Sequence, residues 1–73
     1  MIKRSVSLAG HRTSIALEQA FWNALEQLAA DQKIPLARLI ANVDARRGPD
    51  APLASSLRLF VLDQLTRSTA EQP

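Results

Sequence analysis

Residues 12–17 read Arg-Thr-Ser-Ile-Ala-Leu, and this alternating stretch decides the fold. In an extended chain, odd-numbered and even-numbered side chains point to opposite faces. The two faces consist of Thr13, Ile15 and Leu17, and of Arg12, Ser14 and Ala16. Threonine and isoleucine favour strands. The pattern therefore predicts one short β-strand with its odd face against a core and its even face toward solvent.

A single strand leaves its backbone groups without partners, so this strand must pair with another. No convincing strand follows it in the sequence. Residues 5–8, Ser-Val-Ser-Leu, also alternate and precede it directly. The two candidate partners are therefore residues 5–8 of the same chain and the same strand of a second chain.

Three helical segments follow the strand. The first runs from residue 18 to about residue 32, with an apolar stripe that includes Phe21 and Leu25. The second begins at Pro35, a residue favoured in the first helical turn, and ends near residues 46–49, Arg-Arg-Gly-Pro. The third begins after Pro52. The chain is thus predicted to be mainly α-helical with one short strand.

The third helix carries more large apolar residues than one narrow face requires. They are Leu53, Leu57, Leu59, Phe60, Val61, Leu62 and Leu65. A helix of this kind is buried on two sides or against a second chain.

The chain has 73 residues, which allow a single domain, and 47% of them are hydrophobic. A core of this size supplies only a few kcal/mol, about 3–5, so small domains usually need a covalent, metal or subunit link. The sequence has no cysteine and one histidine, His11, which excludes disulfides and leaves no ligand set for a structural zinc ion. A homodimer is the expected solution.

Several classes of function are disfavoured. The longest apolar run, residues 59–62, is far shorter than the roughly 20 residues of a membrane span. We find no signal peptide, no nucleophile motif and no glycine-rich phosphate loop. We therefore expect a cytoplasmic protein that is not an enzyme, with no catalytic residues, no metal, no cofactor, no membrane partner and no small-molecule substrate.

Charge is concentrated at the start of the chain. Residues 1–12 carry a charge of +3 and residues 13–73 a charge of −1, within a net charge of +2. Basic segments on small domains suit nucleic acid. A two-stranded ribbon also fits the major groove of DNA, where Arg12, Ser14 and Ala16 could reach base edges. We expect a basic arm over residues 1–11, a domain over residues 12–67 and a flexible polar tail over residues 68–73.

The order strand, helix, helix resembles the ribbon-helix-helix family of bacterial DNA-binding proteins. The resemblance covers about residues 4–66 and is most specific in residues 10–22, Gly-His-Arg-Thr-Ser-Ile-Ala-Leu-Glu-Gln-Ala-Phe-Trp. It implies an intertwined homodimer whose strands pair antiparallel into an intermolecular ribbon, with an additional C-terminal helix. It also implies sequence-specific binding of double-stranded DNA by a transcriptional regulator, in particular a repressor.

The resemblance further implies roles for individual residues. Base contacts come from Arg12, Ser14 and Ala16, although many members have a larger polar residue where Ala16 stands. Members also hold a phosphate at the N-terminus of the helix after the corner, where Pro35 replaces the usual serine or threonine. The expected phosphate contacts are Lys3, Arg4, His11, Lys33, Leu36 and Ala37. The expected dimer core comprises Thr13, Ile15, Leu17, Phe21, Leu39, Ile40, Val43 and Phe60.

A second hypothesis is a dimeric protein-interaction module, either an adaptor or antitoxin-like, with the same fold and little DNA affinity. Ala16, Pro35 and the small net charge favour it. The two hypotheses differ in whether the chain binds random duplex DNA at low salt.

Overall fold

A computed structural model describes the backbone of residues 1–71 and the side chains of residues 1–67. Two strands and three helices follow one another along the chain. They are β1 (Ile2–Leu8), β2 (His11–Leu17), α1 (Gln19–Gln32), α2 (Leu36–Arg46) and α3 (Leu53–Glu71). The three predicted helices are confirmed. Of the tail expected over residues 68–73, residues 68–71 belong to α3, and residues 72–73 lie outside the described residues.

The prediction of a single strand is wrong, because residues 2–8 form a second one. The two strands pair antiparallel as a hairpin, with a register running from Ile2 opposite Leu17 to Leu8 opposite His11. Of the two candidate partners for β2, the one that pairs with it in the structure is the segment of the same chain. Within the expected arm of residues 1–11, residues 2–8 and His11 thus belong to the sheet.

A two-residue turn joins the strands. Ala9 has a φ of 50° and Gly10 a φ of 84°. Positive φ at both positions defines the type I′ turn, whose twist matches that of the adjacent strands. Glycine adopts this conformation at no steric cost, whereas alanine at residue 9 is held there by the pairing on both sides.

The core lies between the inner face of the hairpin and the helices. It contains Val6 and Leu8 of β1, Ile15 and Leu17 of β2, and apolar residues of all three helices. The helical members are Trp22, Leu25, Ala29, Leu39, Ile40, Val43, Leu57 and Val61. Within it α2 packs against β1 and α3 packs against β2. Among residues 1–71, no helix is both long enough and apolar enough to cross a membrane.

The corner between α1 and α2 is tight because α1 ends in a left-handed residue. Lys33 has a φ of 58°, and its backbone N–H donates to the carbonyls of Ala29 and Ala30. The N–H of Ile34 then donates to the carbonyl of Ala29 at 3.0 Å. These bonds satisfy the end of α1, and Pro35 follows directly as the N-cap residue of α2.

Candidate nucleic-acid interface

The outer face of the hairpin points away from the helices and carries small polar side chains with two cations. Three cross-strand pairs make up this face, and we call it the outer hairpin face. The pairs are Lys3 with Ala16, Ser5 with Ser14, and Ser7 with Arg12. All six side chains are exposed except that of Ala16, which is half-buried. The structure thus brings Arg12, Ser14 and Ala16 onto one face, as the alternation predicts.

Lys3 is the expected phosphate-contacting residue that shares this face with them. Neither Lys3 nor Arg12 forms an ion pair with any described side chain, and no acidic residue lies on the outer hairpin face. Two uncompensated positive charges therefore stand among serines. The face offers hydrogen-bond donors and positive potential to an anionic partner.

Ser5 and Ser7 belong to this face but are not among the predicted site residues. The alternation of residues 5–8 is the sequence feature that predicts their position. In an extended strand, Ser5 and Ser7 point to one face and Val6 and Leu8 point to the other. Once β1 is recognised as a strand, both serines follow from its pairing with β2.

Arg4 lies on the opposite face of β1, turned toward the helices. Its guanidinium carbon is 4.8 Å from the centroid of the Trp22 ring, and Nη1 donates to Oε1 of Glu26 at 2.7 Å. The indole N–H of Trp22 in turn donates to the carbonyl of Ile2 at 2.9 Å. Arg4 therefore links β1 to α1 and is separated from Lys3 and Arg12 by the sheet.

The other expected phosphate contacts lie outside the outer hairpin face. His11 is exposed beside the turn and shares the facing of Thr13. Lys33, Leu36 and Ala37 lie at the corner that leads into α2, on the helical side of the sheet. The carbonyl of Pro35 accepts the N–H groups of the third and fourth residues after it, which leaves the N–H groups of Leu36 and Ala37 for an external acceptor.

The free edge of β2 is the other notable feature of the hairpin. Within the described residues the sheet contains only β1 and β2, so one edge of β2 has no strand beside it. In a hairpin with a two-residue turn, the residues flanking the turn exchange both backbone hydrogen bonds, and this pattern recurs at every second pair. The backbone groups of the odd residues of β2 therefore bond β1. Those directed to the free edge belong to Arg12, Ser14 and Ala16.

Most of the residues expected in a dimer core are buried inside one chain. Ile15, Leu17, Leu39, Ile40 and Val43 are all buried there. The remaining expected members, Thr13, Phe21 and Phe60, are half-buried. The exposed large apolar side chains lie elsewhere, at Met1, Ile2, Leu59, Leu62 and Leu65.

Arg58 connects α3 to the start of α1. Its guanidinium is 3.0 Å from Oε1 of Glu18, 5.8 Å from the centroid of the Phe21 ring and 3.2 Å from Sδ of Met1. Glu18 is the N-cap residue of α1, although its side chain does not cap the helix. The pKa of Glu18 is lowered, first by its own backbone N–H and then by the hydrogen bond from Arg58.

One comparison with known proteins identifies the family of this chain. No match to the chain was found among curated proteins or among solved structures. A family model described as a ribbon-helix-helix domain matches residues 1–65, which include the hairpin, α1, α2 and most of α3. Domains of this family typically form dimers and bind DNA as transcription regulators, and they are generally not enzymes. With this match, the predicted family is confirmed, and the chain belongs to the ribbon-helix-helix domain family.

Proposed function

We propose that the protein is a homodimer that binds double-stranded DNA through the outer hairpin face, as a transcriptional regulator at the bacterial nucleoid. The observation that carries the proposal is the position of two unpaired cations, Lys3 and Arg12, among exposed serines on one face of a hairpin whose β2 has a free edge. Membership of a family that typically binds DNA supports it.

The dimer forms where the free edges of two β2 strands meet. A two-fold axis at Ser14, the middle residue of β2, gives the longest overlap between two antiparallel copies. Ser14 then lies opposite Ser14 of the second copy, and Arg12 lies opposite the second copy's Ala16. These are the residues whose backbone groups point to the free edge, so each pair exchanges both backbone hydrogen bonds.

The resulting four-stranded sheet has a central row of serines, flanked on both sides by rows that contain Arg12 and Lys3. Arginine is the commonest specific reader of guanine, through O6 and N7. We assign this role to Arg12, a less selective contact to Ser14, and at most a thymine-methyl contact to Ala16.

Lys3 is suited to a phosphate contact because of its strand. Neighbouring strands lie about 4.8 Å apart, and the major groove is about 12 Å wide. The two inner β2 strands therefore fit within the groove, whereas the outer β1 strands reach its walls, where the phosphates lie. His11, Lys33 and the N–H groups of Leu36 and Ala37 are further proposed phosphate contacts, the last two because free amides at a helix N-terminus favour anions.

Replacing Arg12 with alanine tests the proposal. We expect a loss of roughly 1–3 kcal/mol for each half-site of the preferred duplex, or about 5- to 150-fold per half-site, with relaxed preference at one base position of each. The duplex is first obtained by selecting bound sequences from a random DNA pool, and affinities follow from fluorescence anisotropy. The matched control is Arg46→Ala, which removes an exposed arginine from the end of α2.

Equal affinities of the wild type and Arg12→Ala for every selected duplex would overturn the base-reading role. No binding of the wild type to any duplex at about 50 mM salt would overturn DNA binding itself. That second result would favour the protein-interaction module.

A further inference from the structure

We propose that the exposed leucines of α3 form the helical half of the homodimer interface, covered by the same leucines of a second copy. We call Leu59, Leu62 and Leu65 the leucine face. This inference deepens the proposed function and rests on its two-fold axis for the placement of the second copy.

The leucine face is exposed to an extent that a packed α3 does not require. Leu57 and Val61 are buried in the core, at 0% and 2% exposure, whereas Leu59, Leu62 and Leu65 are 66%, 59% and 56% exposed. Residues three apart on a helix lie on neighbouring positions of its surface. The three leucines therefore form one continuous apolar strip on the side of α3 turned away from the core. Contiguous apolar strips on small proteins mark contact surfaces.

The position of α3 within the chain indicates the occupant. α3 packs against β2, the strand with the proposed pairing edge, whereas α2 packs against β1 on the far side of the hairpin. A two-fold axis that joins two β2 edges therefore brings two α3 helices closer together than any other pair of equivalent helices. One symmetric contact can then cover both the strand edge and the leucine face.

The leucine face is complementary to a reversed copy of itself. When two α3 helices run antiparallel with Leu62 at the centre, Leu62 lies beside its counterpart and Leu59 lies beside the second copy's Leu65. Leu59 also lines a groove of about 430 Å³ between α2 and α3, where Leu39, Val43 and Phe60 stand beside polar side chains that include Arg46, Arg47 and Gln64. The second copy's Leu65 would therefore meet Leu59 beside a groove of mixed polarity.

Two of the arginines near the leucine face are neutralised within the chain. Arg58 pairs with Glu18 at 3.0 Å, and Arg67 pairs with Asp63 at 3.1 Å. A second copy laid on the leucine face thus meets these two arginines already paired, whereas Arg46 in the neighbouring groove has no ion pair among the described side chains. A strongly charged partner would gain little from such a surface.

The size of the leucine face favours a shared interface over an independent one. Stable interfaces bury about 800 Å² per partner. Three partly exposed leucines offer well under that area, so they are too few to hold a dimer alone. Added to the β2 edges, they extend the interface toward the required size.

Two variants of Leu62 with opposite charges test the contact. We expect Leu62→Glu and Leu62→Lys each to raise the dimer dissociation constant at least tenfold in sedimentation experiments, with helical content unchanged because the side chain is exposed. An equimolar mixture should recover tight dimers, since glutamate faces lysine at the two-fold axis. Ala30→Glu, at an exposed position of α1, is the matched control and should dimerise like the wild type.

A cross-linking measurement provides an independent readout. The chain has no cysteine, so Leu62→Cys introduces a single thiol. Disulfides require Cα atoms about 4.4–6.8 Å apart. We expect mild oxidation to cross-link Leu62→Cys into a covalent dimer much faster than Ala30→Cys.

The outcomes separate this inference from DNA binding. A Leu62→Glu dimer with wild-type dissociation constant, equal oxidation rates of the two cysteine variants, or a monomeric wild type would each overturn the leucine contact. Loss of dimers in Leu62→Glu together with absence of DNA binding by the wild type would uphold the leucine contact and overturn the DNA-binding proposal.

Discussion

The outer hairpin face and the leucine face of α3 are both exposed, yet their chemistry differs completely. The hairpin presents serines and two unpaired cations, and α3 presents three leucines between charges that are already paired. Water solvates the first face well and the second poorly. Exposure alone therefore does not indicate function in this chain. The polar face suits a hydrated, anionic partner, and the apolar face suits an equally apolar one.

The largest expected effect comes from disturbing the core that supports both faces. Ile15 is 3% exposed, and Ile15→Asp would place a carboxylate without a partner among apolar side chains. An uncompensated buried charge costs about 3–5 kcal/mol, which is comparable to the whole stability of a domain of this size. We expect Ile15→Asp to be unfolded at 25 °C by circular dichroism, with loss of both DNA binding and dimerisation.

The matched control is Ser5→Asp, which adds the same charge to the outer hairpin face. It should remain folded, since the side chain is exposed. It should also bind DNA more weakly, because it partly neutralises the cations of that face. If Ile15→Asp were folded, the inner face of β2 would not be part of the core that supports the outer hairpin face and the leucine face.

A smaller effect distinguishes two neighbouring cations of β1. Lys3→Ala should weaken DNA binding. It should also make the plot of log affinity against log salt concentration less steep by about 2 for the dimer, because each lost phosphate contact contributes about 0.9 to the slope. Arg4→Ala should leave that slope unchanged. It should instead lower stability by about 1 kcal/mol, because it removes an exposed ion pair and a cation–π contact.

Urea denaturation and anisotropy titrations at several salt concentrations measure both quantities. If Arg4→Ala changed the salt dependence and Lys3→Ala changed only the stability, Arg4 rather than Lys3 would be the residue of β1 that contacts phosphate.

The smallest effect concerns Glu18, whose carboxylate holds Arg58 beside the leucine face. Since its pKa is lowered in the folded state, Glu18 contributes stability above its unfolded-state pKa, near 4.5, and this contribution is lost as the pH falls through the folded-state pKa. We expect the stability of the wild type to decrease more steeply below pH 4.5 than that of Glu18→Gln. Thermal unfolding at pH 7 and at pH 3 compares them. Parallel curves would show that the Arg58 contact does not contribute.

Much of the fold could be predicted from residue patterns of short range. Apolar spacing located α1, α2 and α3, and strict alternation located β2 and the facing of Arg12, Ser14 and Ala16. Of β1, the alternation indicated only residues 5–8, as one of two candidate partners, because Arg4 occupies an inward position where alternation requires an apolar residue. Its guanidinium is accommodated there by the Trp22 ring and the Glu26 carboxylate, which lie 18 and 22 residues away in the chain.

The candidate site likewise has one part that the sequence predicts and another part that depends on the tertiary structure. The even face of β2 follows from the sequence, but its neighbours Lys3, Ser5 and Ser7 depend on the hairpin register. The separation of Arg4 from Lys3 depends on it as well. A count of basic residues near the N-terminus places both cations in one group, whereas the pleat of β1 puts them on opposite sides of the sheet.

By itself, the sequence determined the helical spacing, the two faces of β2, the absence of disulfides and the surplus of leucines in α3, because each depends on residue type and local period. Only the tertiary structure decided that β1 pairs with β2, that Arg4 is held against Trp22, and which leucines stay exposed. These features arise from contacts between residues far apart in the chain. The energies of these contacts depend on which surfaces of the folded chain meet, and a local sequence pattern does not contain that information.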